Sequence, residues 1–464
     1  MKELQSCSWA KSFIKPNSSS RLEVTKQRLR VLIISSQRLN PAEPHFSTVE
    51  LSQAKYLSQN YDVAILAVRT PDVPLGRGAR SLARRLISAP RMDDLMALGC
   101  LIGQTVDHVR GARTTNCYNI EGIRVYEGAA SRSVFQTSFE AMLASWIRAA
   151  FAAYRNYCNM ECEPDLLHAH GRFLNAGAFA LAVKKKTGVP YIYTEHSTYY
   201  SRGEAPQTSK QILQEIIANA TIFSTVSPFL TKSVEDYLGL PLQHAVVIPN
   251  FVDEIYDKEE PCPPPAHRPF VFVSVTAFRQ HKCVHLLIRA FAEAFGADQR
   301  YILKICGDGP LREKLKALAG DLGLTDHIEF LGQISKDEVL KQIDQSHVLV
   351  VPSNIETFSI ALIEALSRGR PVIATRCGGP DSIVDEKSGL LVPINDTTSM
   401  TAALRSMVQH FDRYDRMAIR QDALRRFGRE AILSKMDSLY RSVLNTSHNS
   451  NLYTKTTGDG SRSS

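Results

Sequence analysis

The feature that most constrains this chain of 464 residues is an alternation of short apolar runs with helical patterns, which occurs twice. Such alternation is typical of a parallel sheet covered by helices, because consecutive parallel strands have to be joined by a crossover. The first series of predicted strands comprises 30–35, 63–68, 165–170, 190–196 and 222–227, and the second comprises 270–275, 301–307, 328–332, 347–353 and 371–376.

A proline-rich segment separates the two series. Five of the nine residues from 261 to 269 are proline, and their rings exclude regular structure. We therefore predict an α/β protein with two Rossmann-like, doubly wound parallel-sheet domains that face a central cleft, where open sheets of this kind bind ligands. The predicted divisions are a disordered tail (1–28), a first domain (29–255), a linker (256–269), a second domain (270–412), C-terminal helices that return to the first domain (413–445) and a disordered tail (446–464).

The composition restricts the classes of protein further. With 44% hydrophobic and 22% charged residues, the chain can bury a large core, which excludes a mostly disordered protein. Lys and Arg number 55 against 47 acids, and this net charge of +8 favours anionic ligands over nucleic acid. Nine scattered cysteines without a C-x-x-C pair indicate reduced thiols, so we predict a cytoplasmic protein.

Residues 348–375 carry the most informative pattern. An apolar strand is followed by a break and then by a helix that is predicted to begin between 357 and 359. The backbone amides of Phe358, Ser359 and Ile360 would be unpaired at the helix N-terminus, where an anion such as a diphosphate can bind.

Two glutamates flank the start of this helix. Glu364 lies among apolar residues, so its carboxylate needs a donor, and ribose hydroxyls would be suitable. Glu356 could accept hydrogen bonds from the helix amides or from sugar hydroxyls. A plainer interpretation also exists for each: Glu356 as a capping acid, and Glu364 as a structural acid bonded to protein groups.

This Glu-x7-Glu pair, followed by Gly369, Pro371 and Gly378-Gly379, resembles the signature of retaining glycosyltransferases of family 4 (glycosyl transferases group 1), which have the GT-B fold. The resemblance implies that the second domain holds a nucleotide sugar, with Glu364 at the ribose and Glu356 close to the transferred sugar. It extends over KICGDGPL (304–311), IEFLGQIS (328–335), CGGPDSIVDEKSGLLVP (377–393), VIPNFVD (247–253) and YTEHS (193–197).

Further donor contacts are expected in the second domain. Lys282 occupies the place of the family lysine that pairs with the donor diphosphate, unless it is a solvated lysine. Residues 276–278 are Thr-Ala-Phe, whereas the family often has Gly-Arg-Leu there, so the family arginine is missing. Arg279 is the nearest substitute for it. Alternatively, Arg279 is only a surface charge. Gly307 and Gly309 lack a Cβ and would let the backbone approach a ligand, or would form a structural turn.

Histidines mark the predicted acceptor side. His168 and His170 end one strand on the same face, and His196 follows the next strand. By its place in the family pattern, His170 resembles the histidine near the anomeric carbon and acceptor, although His170 and His196 could both be buried strand-end residues. A zinc site from the three lacks a fourth ligand, and no Asp-x-Asp occurs, so we predict no metal and no cofactor.

These features predict an enzyme that moves a sugar from a nucleotide sugar to a hydroxyl of a glycan or lipid-linked acceptor, in cell-surface polysaccharide biosynthesis. The resemblance implies retention of the anomeric configuration, with Glu356, Lys282 and His170 in catalysis. The alternatives are a GT-B sugar-nucleotide epimerase, a phosphorylase or a degenerate sugar-nucleotide-binding protein. The last is motivated by the missing arginine and by the lack of Gly-Gly over 40–57.

Peripheral contact with an anionic membrane at its inner face is also predicted. Residues 75–91 place four arginines on one helical face, although the apolar stripe of such a helix could equally cover the domain core. No apolar run approaches the ~18 residues that a membrane span needs. No nucleic-acid partner is expected.

Overall fold

The protein is described by a computed structural model, which covers residues 28–36, 39, 48–70, 115–130, 138–257, 260–265 and 269–456, with the backbone alone at 48 and over 446–456. Two sheets lie on either side of the proline-rich segment. This confirms the predicted α/β fold class. The limits of the domains stay a prediction.

The first sheet has eight strands, which are mostly parallel. These are β1 (Arg30–Ser35), β2 (Asp62–Arg69), β3 (Asn116–Ile120), β4 (Ile123–Ala129), β5 (Leu166–Gly171), β6 (Tyr191–Glu195), β7 (Ile222–Thr225) and β8 (Val246–Val247). Their order is β3-β4-β2-β1-β5-β6-β7-β8, and β3 runs antiparallel to β4. Residues 31–34 of the central β1 are fully buried, because helices cover both faces of the sheet.

In the described part of the chain, six α-helices precede the second sheet. Ser227 caps one of them by accepting a bond from the Leu230 amide at 3.1 Å, and Pro228 provides the first helical residue. The helices are α1 (Thr48–Leu57), α2 (Phe139–Glu161), α3 (Asn175–Thr187), α4 (Lys210–Asn219), α5 (Pro228–Leu238) and α6 (Glu254–Asp257).

The second sheet has six parallel strands in the order β11-β10-β9-β12-β13-β14. These are β9 (Phe270–Val275), β10 (Tyr301–Cys306), β11 (Ile328–Gly332), β12 (Val348–Val351), β13 (Val372–Thr375) and β14 (Gly389–Val392). Its helices are α7 (Val284–Phe295), α8 (Arg312–Asp321), α9 (Lys336–Asp344), α10 (Ile360–Ser367) and α11 (Thr397–Gln409). Every predicted strand has a counterpart in one of the two sheets.

The C-terminal segment packs against the first sheet through its last helix. It consists of α12 (Arg416–Phe427) and α13 (Arg429–Thr456). Tyr440, Val443 and Leu444 of α13 are buried in the same cluster as Val31 and Ile33 of β1.

The end of α13 differs from the prediction of a disordered tail from 446. Residues 446–456 continue the helix, because each residue added to an existing helix needs little more than its own hydrogen bond. Residues 457–464, the tail over 1–27, most of the loop before α1 and the basic segment 75–91 lie outside the described residues. Among the helices that the structure describes, none is long and apolar enough to span a bilayer.

The linker is held against the second half of the chain. Arg370 is buried and donates to the Cys262 carbonyl at 2.8 Å, and Arg368 donates to the Glu260 carbonyl at 3.3 Å. Arg368 also pairs with Asp344 at 2.8 Å. These bonds satisfy carbonyls that the prolines leave without a strand partner.

Candidate functional site

Lys282 and Glu356 form an ion pair near the carboxyl ends of the second sheet. Lys282 ends a short 3-10 helix, Gln280–Lys282, and Glu356 lies between β12 and α10. The Lys282 Nζ lies 2.6 Å from Oε1 of Glu356, and Ser353 Oγ donates to the same oxygen at 2.7 Å. The two charged side chains are only 21% and 12% exposed. Lys282 is therefore not a solvated lysine, and its side chain engages the glutamate that the sequence assigns to the sugar.

The backbone around Glu356 is fixed by the turn that follows β13. The Glu356 amide donates to the Cys377 carbonyl at 3.3 Å, and the Gly379 amide donates to the Glu356 carbonyl at 2.7 Å. A Cβ on Gly379 would lie 2.5 Å from the backbone of Phe358, so only glycine allows this approach. The Gly378-Gly379 turn thus sets the position of Glu356 and of the residues after it.

The predicted amides lie at the start of α10, which begins at Ile360. Ser359, at the N-cap, has a φ of 94°, and its side chain caps no amide within the described part of the chain. Phe358 is buried against Phe427, Ser359 is half-buried and Ile360 is 40% exposed. The helix therefore starts as an uncapped, partly open turn that directly follows Glu356, a geometry suited to an anion.

Glu364 lies on the partly buried face of α10. Removal from water raises the pKa of Glu364 to about 7, and the Lys336 ammonium opposes this rise while Asp253 adds to it. The Tyr256 hydroxyl donates a hydrogen bond to the carboxylate. Lys336 and Asp253 pair with each other at 2.7 Å. Glu364 thus has a protein donor, as the structural interpretation requires, and its contact with a ribose stays a prediction.

Gly307 and Gly309 pack against the loop that leads to Lys282. Their φ values are 143° and 154°, and a Cβ would lie 1.8 Å from the Thr276 carbonyl oxygen and 2.8 Å from that of Phe278, respectively. The space beside both glycines is thus filled by the chain itself, which favours the structural-turn interpretation over a ligand approach. Arg279 follows this loop and is exposed to solvent.

His170 and His196 come together at the carboxyl ends of β5 and β6. Their Nδ1 and Nε2 atoms, respectively, lie 3.0 Å apart. Burial lowers the pKa of His170 to about 3 and the pKa of His196 well below its usual value, and the Arg172 charge lowers both further. Both rings are therefore neutral at pH 7. The Nε2 atom of His170 is buried and has no partner in the described chain.

Thr357 connects this histidine pair to the second half. Its Oγ1 donates to the His196 carbonyl at 3.2 Å, and its own carbonyl accepts a bond from Ser227 Oγ at 2.5 Å. A Cβ on Gly378 would lie 2.3 Å from the Phe229 ring. The carboxyl ends of the two sheets therefore face each other, and the predicted residues of both halves converge there.

His168 belongs to a buried hydrogen-bond network. Its Nδ1 lies 2.5 Å from the Tyr440 hydroxyl, and its Nε2 lies 2.8 Å from Thr194 Oγ1. Gln53 donates to the Tyr440 hydroxyl at 2.8 Å. Both ring nitrogens are engaged, which leaves none for zinc. In the described ranges, no group of three or more His, Cys, Asp or Glu side chains could hold a metal ion.

Glu50, a buried acid on α1, was not among the site residues predicted from the sequence. Its Oε1 lies 3.4 Å from Ser35 Oγ, and its Oε2 is buried with no partner among the residues described. Burial raises the pKa of Glu50 above its usual value. Ser35 is the register neighbour of His170, so Glu50 lies beside the histidine pair. The only available signal was an acid in the first turn of α1.

Models of two families match the chain side by side. The model described as Glycosyltransferase Family 4 matches residues 108–255, and the model described as Glycosyl transferases group 1 matches residues 257–422. The two matches meet at the start of the predicted linker.

Curated proteins with related sequences are glycosyltransferases. An uncharacterized glycosyltransferase of Methanocaldococcus jannaschii is 28% identical over 249 residues, which cover 53% of this chain and 66% of that protein. The D-inositol 3-phosphate glycosyltransferase of Corynebacterium urealyticum is 27% identical over 371 residues, which cover 74% of this chain and 84% of that protein.

A solved structure has a similar fold over most of this chain. Anabaena HepE in complex with UDP and glucose superposes with a TM-score of 0.62 at 16% identity, over 89% of this chain and 100% of that chain. The structural similarity and the two facing sheets show that the chain has the GT-B fold. The two matching models show that it belongs to glycosyltransferase family 4.

Proposed function

We propose that this glycosyltransferase is a retaining enzyme that moves a sugar from a nucleotide sugar to a hydroxyl of a glycan or lipid-linked acceptor. The observation that carries the proposal is the Lys282–Glu356 pair directly before the uncapped start of α10. A donor needs a cation and free amides at its diphosphate, and an acceptor of hydrogen bonds at its sugar. The Anabaena neighbour, with its UDP and glucose, supports a nucleotide-sugar donor.

The residues have distinct roles in the proposed reaction. When the bond between sugar and diphosphate breaks, negative charge builds on the leaving diphosphate, and Lys282 and the amides of 358–360 stabilise it from fixed positions. Glu356 orients the sugar through its hydroxyls, and Glu364 holds the ribose. His170, neutral at pH 7, lies near the anomeric carbon, where the acceptor hydroxyl attacks the face that the diphosphate leaves.

The proposal includes the setting of the reaction. The amides and Lys282 supply the positive field that a divalent cation would otherwise supply, so we propose that no metal is required. The acceptor, in cell-surface polysaccharide biosynthesis, would be reached in the cytoplasm at the inner face of an anionic membrane, to which the net charge of +8 is suited. Arg279, exposed near Lys282, would be the further cation at the phosphates.

A thermal-shift screen against UDP, GDP and ADP sugars, with and without EDTA, tests the donor class. A ligand that binds the folded state raises the melting temperature by mass action, so one base should stabilise the protein specifically, and EDTA should not abolish the shift. The absence of a shift with every donor would contradict the proposal.

Two variants test the donor contacts. Lys282→Ala and Glu364→Ala each remove a charge-assisted contact worth about 1.5–3 kcal/mol, so the donor should bind about 10- to 150-fold more weakly in isothermal titration. Lys387→Ala removes an exposed lysine of the same half and should change nothing. Unchanged donor affinity in both site variants would remove the two assignments.

The Glu356→Ala variant tests whether the protein is an enzyme or only a sugar-nucleotide-binding protein. Native protein should release nucleoside diphosphate from the donor slowly in water, and Glu356→Ala should lose this hydrolysis while it still binds nucleotide. A native protein that binds the donor without any turnover would favour the degenerate binding protein. Epimerised sugar, or consumption of inorganic phosphate, would favour the epimerase or the phosphorylase.

A further inference from the structure

The ion pair between Lys282 and Glu356 affects which ligands the site can accept. Lys282 Nζ lies 2.6 Å from Glu356 Oε1, and both side chains are largely shielded from water. A diphosphate that approaches this ammonium therefore meets a carboxylate already bound to it. Two anions at one cation repel each other, so the diphosphate has to displace Glu356 or share the lysine with it.

Displacement leaves Glu356 with few other donors. Ser353 Oγ, at 2.7 Å from the same oxygen, is the remaining side-chain donor that the structure shows to this carboxylate. The backbone of Glu356 is tied to Cys377 and Gly379, so the carboxylate can leave Lys282 only by rotation of a side chain that is mostly buried. A shielded carboxylate that loses its cation beside a new anion is costly.

A nucleotide sugar can compensate for this loss, whereas a free nucleoside diphosphate cannot. The hydroxyls of the transferred sugar are donors, and in the proposed reaction they lie at Glu356. A nucleoside diphosphate has no such hydroxyl beyond its second phosphate, and its terminal phosphate carries more negative charge than the esterified phosphate of the donor.

We infer that Glu356 is a specificity-determining residue that penalises the nucleoside diphosphate product relative to the nucleotide-sugar donor, through its competition for Lys282. The inference rests on the proposed function, because it takes the diphosphate to bind at Lys282. The ion pair between Lys282 and Glu356 then favours release of the nucleoside diphosphate after each transfer.

Isothermal titration of the Glu356→Gln variant tests this role without any acceptor. The probes are UDP with UDP-glucose, ADP with ADP-glucose and GDP with GDP-mannose, and the pair that binds the native protein is used. Glutamine keeps the size of the side chain and its bond with Ser353 but removes the negative charge that competes with a diphosphate for Lys282. The nucleoside diphosphate should bind about tenfold more tightly, equivalent to about 1.4 kcal/mol, and the nucleotide sugar should change less than about threefold.

Three further variants make the result specific. Glu386→Gln removes the same charge from an exposed position of the second half, and the ratio of the two affinities should not change. Ser353→Ala keeps the ion pair but removes the remaining side-chain donor to Glu356, so the ratio should move further against the nucleoside diphosphate. Glu356→Asp keeps the charge but withdraws the carboxylate from Lys282, so its ratio should lie between those of native protein and Glu356→Gln.

The outcomes separate this inference from the proposed function. A Glu356→Gln variant that binds both ligands equally more weakly, or both unchanged, would overturn the inference, because Glu356 would then only support Lys282. If circular dichroism shows Glu356→Gln to be unfolded, Glu356→Asp decides, and an unchanged ratio there overturns it equally. If none of the six nucleotides binds the native protein, the proposed function fails first, and the inference fails with it.

Discussion

Glu364 is a partly buried acid in a helix of mostly apolar residues, and its surroundings set its charge near neutral pH. Burial raises the pKa of Glu364 from its usual 4.5 to about 7. Between these two pH values the folded protein holds a proton that the unfolded chain releases. The contribution of this group to stability is therefore greatest below pH 4.5 and is lost as the pH rises to 7. Burial disfavours the ionised form of Glu364, so the presence of an acid at this position is consistent with a role in binding.

The same titration predicts a pH-dependent donor affinity. An ionised Glu364 accepts ribose hydrogen bonds more strongly than a protonated one, so the nucleotide sugar should bind about fivefold more tightly at pH 8 than at pH 6, equivalent to about 1 kcal/mol. The His170 ring, with a pKa of about 3, does not titrate in this range. Isothermal titration at pH 6, 7 and 8 measures the effect, with the nucleotide sugar as ligand because its diphosphate is esterified at both ends.

Glu364→Gln is the matched variant for this measurement. It cannot ionise, so its affinity should be flat across the three pH values and close to that of the native protein at pH 6. A pH slope of the same size in Glu364→Gln would show that another group causes it, and the ribose assignment would lose its support.

At the scale of elements, ten of the fourteen described strands follow from the sequence, because runs such as residues 31–34 bury apolar side chains on both faces. The short strands β8 and β14 were not predicted. The antiparallel pair β3 and β4 does not follow, because β3 (Asn116–Ile120) is mostly polar and exposed. The start of α10 was predicted within a few residues. Its left-handed Ser359 was not, because the backbone of the preceding Phe358 packs against Gly379, a contact that no local pattern encodes.

The candidate site was predictable only as a set of residues. Lys282 and Glu356 are 74 residues apart, so their contact depends on how two crossover segments pack. The hydrophobic periodicity of the sequence does not predict that packing. Glu50 was missed for a related reason. Its burial follows from the docking of α1 over Ser35, and an acid in a first helical turn is usually exposed.

The turn after β13 predicts the outcome of a glycine substitution. Gly379→Ala would place a Cβ 2.5 Å from the Phe358 backbone and push the start of α10 out of position. We expect the free energy of unfolding to fall by about 1–3 kcal/mol and nucleotide binding to weaken, as measured by urea denaturation and isothermal titration.

Gly320→Ala is the control for Gly379→Ala. Gly320 lies in α8, and its added Cβ would meet no described atom within 4 Å. Because alanine favours a helix over glycine, this variant should gain about 0.5–1 kcal/mol. A Gly379→Ala variant as stable as the native protein would show that the turn can relax, and that it does not fix Glu356.

At the scale of the whole molecule, α13 connects the end of the chain to the first sheet beneath the histidine pair. The Tyr440 hydroxyl bonds both His168 and Gln53, and the Tyr440 ring packs edge-on against Tyr61. The His168 ring lies 4.2 Å from the His170 ring, centroid to centroid. This helix and the Thr357 contact are therefore two of the connections that join the halves near the site.

Tyr440→Phe should loosen α13 without disturbing the core. The ring and its packing stay, but His168 and Gln53 lose a buried partner, which should lower the free energy of unfolding by about 1–2 kcal/mol. Local opening of α13 should then become easier, so amide hydrogen exchange over 429–445 should accelerate more than exchange in the second sheet.

Tyr237→Phe is the control, because its hydroxyl bonds only Ser209 and the Pro206 carbonyl among the described residues. It should cost similar stability and leave exchange in α13 unchanged. Equal exchange over 429–445 in native protein and Tyr440→Phe would mean that apolar burial alone holds this helix to the first sheet.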